Sequence, residues 1–153
     1  MTPDSASFTR FVEEVARPLR QALVARYGPD AGDEATSEAL AYAWENWERV
    51  TQMSNAAGYL YRVGQSRARS GIRRRRTPLV ASRPVAAEYW YEPKLIDALN
   101  SLSPSQRAAV VLVNGLGWSV TEVAELWGVS FSTVQSHVER AMSRLRRKLG
   151  VTV

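Results

Sequence analysis

The sequence predicts an all-α chain: two small helical domains joined by a linker, the C-terminal one a helix-turn-helix. Three observations predict it. Apolar residues recur every three to four positions over most of the chain, the period of a helix face. The stretch 77–93 carries Pro78, Pro84 and Pro93 and has no helical period, as a linker would. The C-terminal part is punctuated by cap residues and glycines at regular offsets. The predicted units are a helical domain over 1–76, a linker over 77–93 and the helix-turn-helix domain over 94–153.

The first helix is written in Phe8, Phe11, Val12, Val15, Leu19, Leu23 and Tyr27. Pro18 lies inside that pattern and is expected to kink or split it. "YGPDAGD" reads as a break. A second helix is expected from about Glu34 to Val50, with Leu40, Ala43, Trp44 and Trp47 on one face. "TQMSN" ends it, and Ser54 or Asn55 is the candidate N-cap of the third. That helix starts near Ala56 and runs into the arginines. Leu60, Val63, the stem of Arg67 and Ile72 are expected on its inner side. Tyr89, Trp90 and Tyr91 are unusual for a free tether and are expected to dock on something.

The C-terminal unit opens with Ser103, Pro104 and Gln106: a cap, a proline at the first helical position and a capping-box glutamine. Its helix is expected to stop at Gly115 or Gly117. Ser119 and Glu122 form a second capping box, and Gly128 supplies a C-terminal stop. Ser130 or Ser132 caps the last helix, with Ser132 and Gln135 as a third capping box. A short helix, a glycine turn and a longer helix make the helix-turn-helix layout. Small Ala124 suits the crossing point, and Val123, Leu126, Val129, Val134 and Val138 are expected to seal it. Val134, Val138, Ala141, Leu145 and Leu149 give the last helix a core stripe. Ser132, Thr133, Gln135, Ser136, Glu139 and Arg140 lie off it, where polar groups can meet base edges. Arg144, Arg147 and Lys148 follow as phosphate contacts. A solvated polar face is the bland alternative.

Composition narrows the function. The chain has 153 residues, 45% of them hydrophobic, enough for a core. Net charge is +5 and the pI is about 10.0, which favours a polyanionic partner. The charge is blocked. Between Gly28 and Val50 stand Asp30, Asp33, Glu34, Glu38, Glu45 and Glu48 against Arg49 alone. From Arg62 to Arg76 there are seven arginines and no acid. Such blocks suit separate contact surfaces, though each also fits a solvated face. There is no cysteine, which excludes disulfides and thiolate metal sites and fits a reducing compartment. No phosphate-cradling glycine loop, metal-ligand cluster or nucleophile–base pair is visible, so no enzyme, metal or cofactor is expected. His137, the one histidine, is expected to contact phosphate or base, or simply to be exposed. The N-terminus lacks the apolar run of a secretory signal, and no stretch approaches the roughly 20 apolar residues of a membrane span. A cytoplasmic protein is expected.

A family resemblance sharpens this. "LIDALNSLSPSQRAAVVLVNGLGWSVTEVAELWGVSFSTVQSHVERAMSRLRRKL" resembles region 4 of bacterial sigma factors, through Leu102, Arg107, Gly117, Ser119, Glu122, Ala124, Gly128, Val129, Ser130, Thr133, Val134, Ser136, Arg140, Ala141 and Leu145. His137 stands where that pattern has Arg, and LuxR-type regulators share a similar helix with His there. The N-terminal half separates the two. "EATSEALAYAWENWERV" resembles the region 2 helix through Glu34, Glu38 and Trp44. "GYLYRVGQSRARSGIRRRR" resembles the next through Tyr59, Leu60, Arg62, Val63 and Gly64. Region 2, a short linker and region 4 together resemble the extracytoplasmic-function (ECF) sigma factors. Ser66 and Ser70 depart from the family's Asn and Asp; in the family, that Asn helps hold a flipped promoter base. Glu34 replaces an Asp.

The resemblance implies a subunit that directs core RNA polymerase to promoter DNA. It implies that Glu34, Glu38, Trp44 and Trp47 meet the polymerase. Tyr59, Arg62, Ser66, Arg67, Arg69, Arg73, Arg74, Arg75 and Arg76 would serve the minus-10 element. Ser130, Ser132, Thr133, Gln135, Ser136, His137, Arg140, Arg144 and Arg147 would serve the minus-35 element. An anti-sigma factor is a common partner in the family. Two alternatives stay open: a LuxR-like regulator binding duplex DNA without polymerase, and a helical adaptor or anti-sigma-interacting protein.

Overall fold

The computed structural model describes residues 4–75 and 93–151, with side chains described to Gly71 in the first segment. Eight α-helices follow one another among them: α1 (Ser5–Tyr27), α2 (Pro29–Glu45), α3 (Trp47–Val50), α4 (Ala56–Arg75), α5 (Pro93–Asn100), α6 (Pro104–Val110), α7 (Val120–Trp127) and α8 (Phe131–Leu149). A wider π-helical turn, Val111–Gly115, ends α6.

Pro18 does not split α1, which runs unbroken past it. The missing N–H costs one hydrogen bond, and the packing of Leu19, Ala22 and Leu23 holds the helix together. The expected break after Tyr27 shrinks to Gly28 alone, at φ 89°, with Pro29 opening α2 where its missing N–H does no harm. The chain folds straight back. A Cβ at Gly32 would lie 2.5 Å from Val24 Cα, so α1 and α2 nearly touch.

The face α2 buries is only partly the expected one: Ala43 is buried and Leu40 packs against the core, but smaller residues carry the contact and Trp44 does not. Gly32, Ala35, Thr36, Ala39 and Ala43 are buried, and Trp44 is 37% exposed. A stripe of small residues lets α2 lie close between α1 and α4, so bulky residues take the flank. The helix also stops at Glu45; Asn46 leaves helical geometry and Trp47 starts α3. On α4, Leu60, Tyr61, Gly64 and Ala68 face inward, with Val63 half-buried and Arg67 exposed. The inner stripe is therefore rotated from the expected one: Gly64 permits contact with Leu23, and Tyr61 supplies the bulk. Ile72 and the aromatics Tyr89, Trp90 and Tyr91 lie outside the described residues.

Asn55 caps α4, its Oδ1 accepting from Gly58 N at 2.9 Å. The capping boxes at Ser103–Gln106 and Ser119–Glu122 are both formed. The third is not. Ser130 caps α8 by accepting from Thr133 N, and Gln135 donates instead to Glu139.

A small core joins α5, α6 and α8 through Ala98, Leu102, Val110, Ala141 and Leu145. The larger core crosses the two units. Leu112, Val123, Ala124, Leu126 and Val134 are buried in one cluster with Leu19, Leu23, Leu60 and Tyr61. Three hydrogen bonds reinforce the crossing: Arg107 Nη2 to Arg26 O (3.0 Å), Trp118 Nε1 to Gln21 Oε1 (2.9 Å) and Asn55 Nδ2 to Glu125 O (2.9 Å). Among the described residues, no helix is long and apolar enough to cross a membrane.

Candidate nucleic-acid interface

The junction between α7 and α8 is fixed by local chemistry. Ser119 Oγ accepts from Glu122 N, and Glu122 Oε1 accepts from Ser119 N, both at 3.0 Å. That satisfies two of the free N–H groups at the start of α7. Gly128 takes the left-handed conformation, φ 69°, which costs a residue without Cβ least. Its N–H and that of Val129 both donate to Ala124 O. The chain then turns sharply and Ser130 opens α8.

α8 divides as its periodicity requires. Val134, Ala141 and Leu145 are buried, and Val138 is half-buried against the large core. Ser132, Thr133, Ser136, Glu139, Arg140, Arg144 and Arg147 are exposed, with Gln135 half-exposed. The polar end is organised. Ser130 Oγ lies 3.1 Å from Ser132 Oγ and 2.8 Å from Thr133 Oγ1. The cationic end forms a recess of about 400 Å³ lined by Ser101, Arg144, Arg147 and Lys148. At about 1.5 Å per residue, Arg147 lies roughly 21 Å along the axis from Thr133. One helix thus separates a hydroxyl and amide tip from a cationic tail.

Val129 does not seal the helix crossing; it is 40% exposed. The Gly128 turn carries it past the buried edge, and Leu126 and Val134 close the crossing instead. His137 turns toward the other unit. Its Nδ1 is buried without a hydrogen-bond partner. Burial, and then the positive charges of Arg140 and Arg26, push its pKa below the usual imidazole value. Arg26 itself was not singled out in the sequence. It stacks over Tyr27 and Trp127 at 5.8 and 5.9 Å, with its Nε buried and unpaired.

A second polar surface lies on α4. Arg62, Gln65, Ser66, Arg69 and Ser70 line a recess of about 320 Å³. These positions share the face opposite Leu60, Gly64 and Ala68, as a 100° step per residue requires. Tyr59 stands two turns before Ser66 on that stripe. Its hydroxyl is within 2.9 Å of Tyr42 OH and accepts from Arg49 Nη2 at 3.2 Å. Arg67 is exposed on the flank. The side chains of Arg73, Arg74 and Arg75, and Arg76 as a whole, lie outside the described residues.

On α2, Glu34 and Glu38 are half-buried one turn apart. Trp44 and Trp47 lie elsewhere, edge-on to Phe8 at 4.9 and 5.3 Å, with Phe11 5.0 Å from Trp47. These ring pairs tie the start of α1 to α2 and α3. Among the described residues, no group of His, Asp or Glu side chains is placed to hold a metal ion.

Comparison with known proteins bears on both halves. The family model for sigma-70, region 4, matches residues 93–145. The RNA polymerase sigma-E factor of Streptomyces coelicolor is 31% identical over 150 residues, covering 90% of this chain and 85% of that protein. The ECF RNA polymerase sigma factor SigM of Mycobacterium tuberculosis is 32% identical over 150 residues, covering 94% and 75%. The sigma factor RpoE of Bartonella quintana, solved in complex with the anti-sigma factor NepR, superposes with a TM-score of 0.66 and 26% identity. That match covers 96% of this chain and 99% of that one.

Proposed function

Because the chain belongs to the ECF RNA polymerase sigma factors, we propose that it directs core polymerase to promoters through three separate surfaces of its own. The exposed tip and cationic tail of α8 read the minus-35 element as duplex. The α4 stripe of Arg62, Ser66, Arg69 and Ser70, with Arg67 on its flank and Arg73 to Arg76 beyond, holds the melted minus-10 strand, and Tyr59 packs near it. Glu34, Glu38, Trp44 and Trp47 meet the polymerase. The units that carry these tasks are 1–76 and 94–153. The work is done in the cytoplasm, without chemistry by the chain itself.

One observation carries the assignment for α8: a glycine-turned, serine-capped junction presents Ser132, Thr133 and Ser136 to solvent while Val134 is fully buried beneath them. Hydroxyl and amide groups there can donate to or accept from base edges in the major groove. Arg144 and Arg147 then fall where phosphates would lie. On α4, arginines suit a strand backbone and the recess suits an extruded base. Ser66 offers one short hydroxyl in that recess, a weaker base contact than the family's Asn. An anti-sigma factor is the third partner this reading implies, as for the Bartonella protein. A regulator acting without polymerase is not favoured, because the relatives match the N-terminal half as well.

Run-off transcription with core polymerase tests the proposal. Promoter-dependent transcripts are expected only when the chain is present. Failure to form a holoenzyme would overturn the proposal. A holoenzyme that binds promoters without opening them would trace the defect to Ser66 and Ser70.

A further inference from the structure

Phe131 is the most exposed large apolar side chain among the described residues, at 56%. It is the first residue of α8 and belongs to neither buried core. Val129, two residues earlier across the Ser130 cap, is 40% exposed. Scattered apolar residues on a surface need no explanation. These two stand two residues apart, both exposed, on the rim of the tip proposed to enter the major groove.

The hydroxyls beside them are partly committed. Ser130 Oγ accepts from Thr133 N and lies in hydrogen-bond contact with the Ser132 and Thr133 hydroxyls. Each such bond removes capacity for pairing with a base edge. Phe131 makes no such internal contact. The major groove offers one apolar feature, the 5-methyl group of thymine, and a Phe side chain is suited to it. Gln135, one turn on along the same edge of α8, can reach an adenine edge, once its amide leaves Glu139.

We propose that Phe131 is a specificity-determining residue that reads a thymine methyl group in the duplex element bound by α8, with Val129 completing the apolar contact. This rests on the reading of α8 as the minus-35 helix. It adds what the polar residues cannot supply, discrimination of thymine from the other pyrimidine by shape and apolarity.

The test removes the methyl group from the DNA. Holoenzyme of the full chain with core polymerase selects its upstream duplex element from a random library. The selected duplex is then made with deoxyuridine in place of thymine, one position at a time, and compared in competition binding. Wild-type holoenzyme is expected to bind about fourfold more weakly at one position or two adjacent ones, the factor for burying one methyl group. Phe131→Ala should weaken binding to the thymine duplex by at least that factor and become indifferent to the replacement there. Phe131→Leu should keep part of the discrimination. If no duplex element is selected at all, the reading of α8 fails. If an element is selected but wild type ignores every replacement, the role of Phe131 is overturned while α8 stands. If Phe131→Ala weakens holoenzyme formation instead, the rim serves a protein contact and the proposal is again overturned.

Discussion

Replacing Gly32 by alanine tests how closely the N-terminal helices must approach. Alanine is the better helix former by about 1 kcal/mol, so on propensity alone Gly32→Ala stabilises α2. Packing says the reverse. The new Cβ would stand 2.5 Å from Val24 Cα, 2.7 Å from Val24 N and 2.8 Å from Val24 Cγ2. Two of those atoms are α1 backbone and cannot rotate away. Ordinary carbon contacts are about 3.5–4.0 Å, so α1 and α2 must part by about 1 Å along a buried seam. Overpacking of this kind costs about 1–3 kcal/mol, and a rigid backbone neighbour puts it at the upper end. The net expectation is a destabilisation of about 2 kcal/mol, or a melting temperature lower by about 4–8 °C for a chain of this size. Thermal and urea unfolding followed by circular dichroism measure it. Gly64→Ala meets the flexible end of Leu23 at 2.7 Å and should cost less. Gly71→Ala has nothing within 4 Å and should be neutral or stabilising. If Gly32→Ala is as stable as wild type, the close approach of α1 and α2 is wrong.

Three other perturbations probe the charges and the seam. His137 has a pKa held below its usual value by burial and by Arg140 and Arg26; the unfolded chain therefore binds more protons near pH 6, and stability falls as pH drops below about 6.5. His137→Gln should flatten that slope in unfolding measured between pH 7 and 5.5, and an unchanged slope would clear His137 of it. Removing Arg62 or Arg69 should weaken promoter binding by the holoenzyme and lower the salt slope by about 0.7 for each strand phosphate left without its cation; an unaltered slope would remove that arginine from the DNA path. The chain has no cysteine, so Asn55→Cys with Glu125→Cys, joined by a short reducible thiol crosslinker, can tie the two units together where Asn55 Nδ2 meets Glu125 O. The bridged protein should be inactive in promoter-dependent transcription and recover on reduction; full activity while bridged would show that the units need not part.

Much of the C-terminal unit was legible because its signals are local. A capping box needs only residues three apart, and Ser103–Gln106 and Ser119–Glu122 form as written. Gly128 marks its turn because a left-handed residue favours glycine. The third box failed for a local reason too: Ser130 sits closer to the turn and takes the cap, so α8 starts before Ser132 could act. The N-terminal unit was legible in outline only. Its inner faces are lined by Gly32, Ala35, Ala39, Gly64 and Ala68, which carry little hydrophobic signal yet decide how near the helices come. Trp44 drew attention by size and stands half on the surface for the same reason. Nothing local forecasts that the charge of Arg26 comes near enough to act on His137, or that Phe131 stays outside both cores. Those are consequences of tertiary packing.

The packing of the two units bears directly on the proposed function. A Cβ at Gly128 would lie 3.3 Å from Arg62 Nη1, so the α4 stripe comes close to the turn before α8. Elements centred at minus 10 and minus 35 are about 25 base pairs apart, or roughly 85 Å of duplex at 3.4 Å per step. If α4 holds the minus-10 strand and α8 the minus-35 duplex, as proposed, no single packed arrangement with Arg62 beside Gly128 can serve both, and the proposal requires the units to part. A connection the length of 76–92 can reach about 60 Å when extended, which with the units themselves suffices. The seam carries opposing terms. Leu112, Val123 and Leu126 shed water against Leu19, Leu23 and Leu60, which favours closure. Arg26 Nε, Tyr27 OH, Trp127 Nε1 and His137 Nδ1 are buried without partners, and each such group costs about 1–3 kcal/mol. Arg26 also lies near the like charge of Arg107. Opening therefore exposes apolar surface but hydrates unpaired polar groups and separates like charges, so its net cost is smaller than the apolar area alone implies. Binding to polymerase can supply such a difference, whereas promoter DNA alone must meet it from contacts that salt weakens. Free chain should for that reason bind promoter DNA far more weakly than the holoenzyme does.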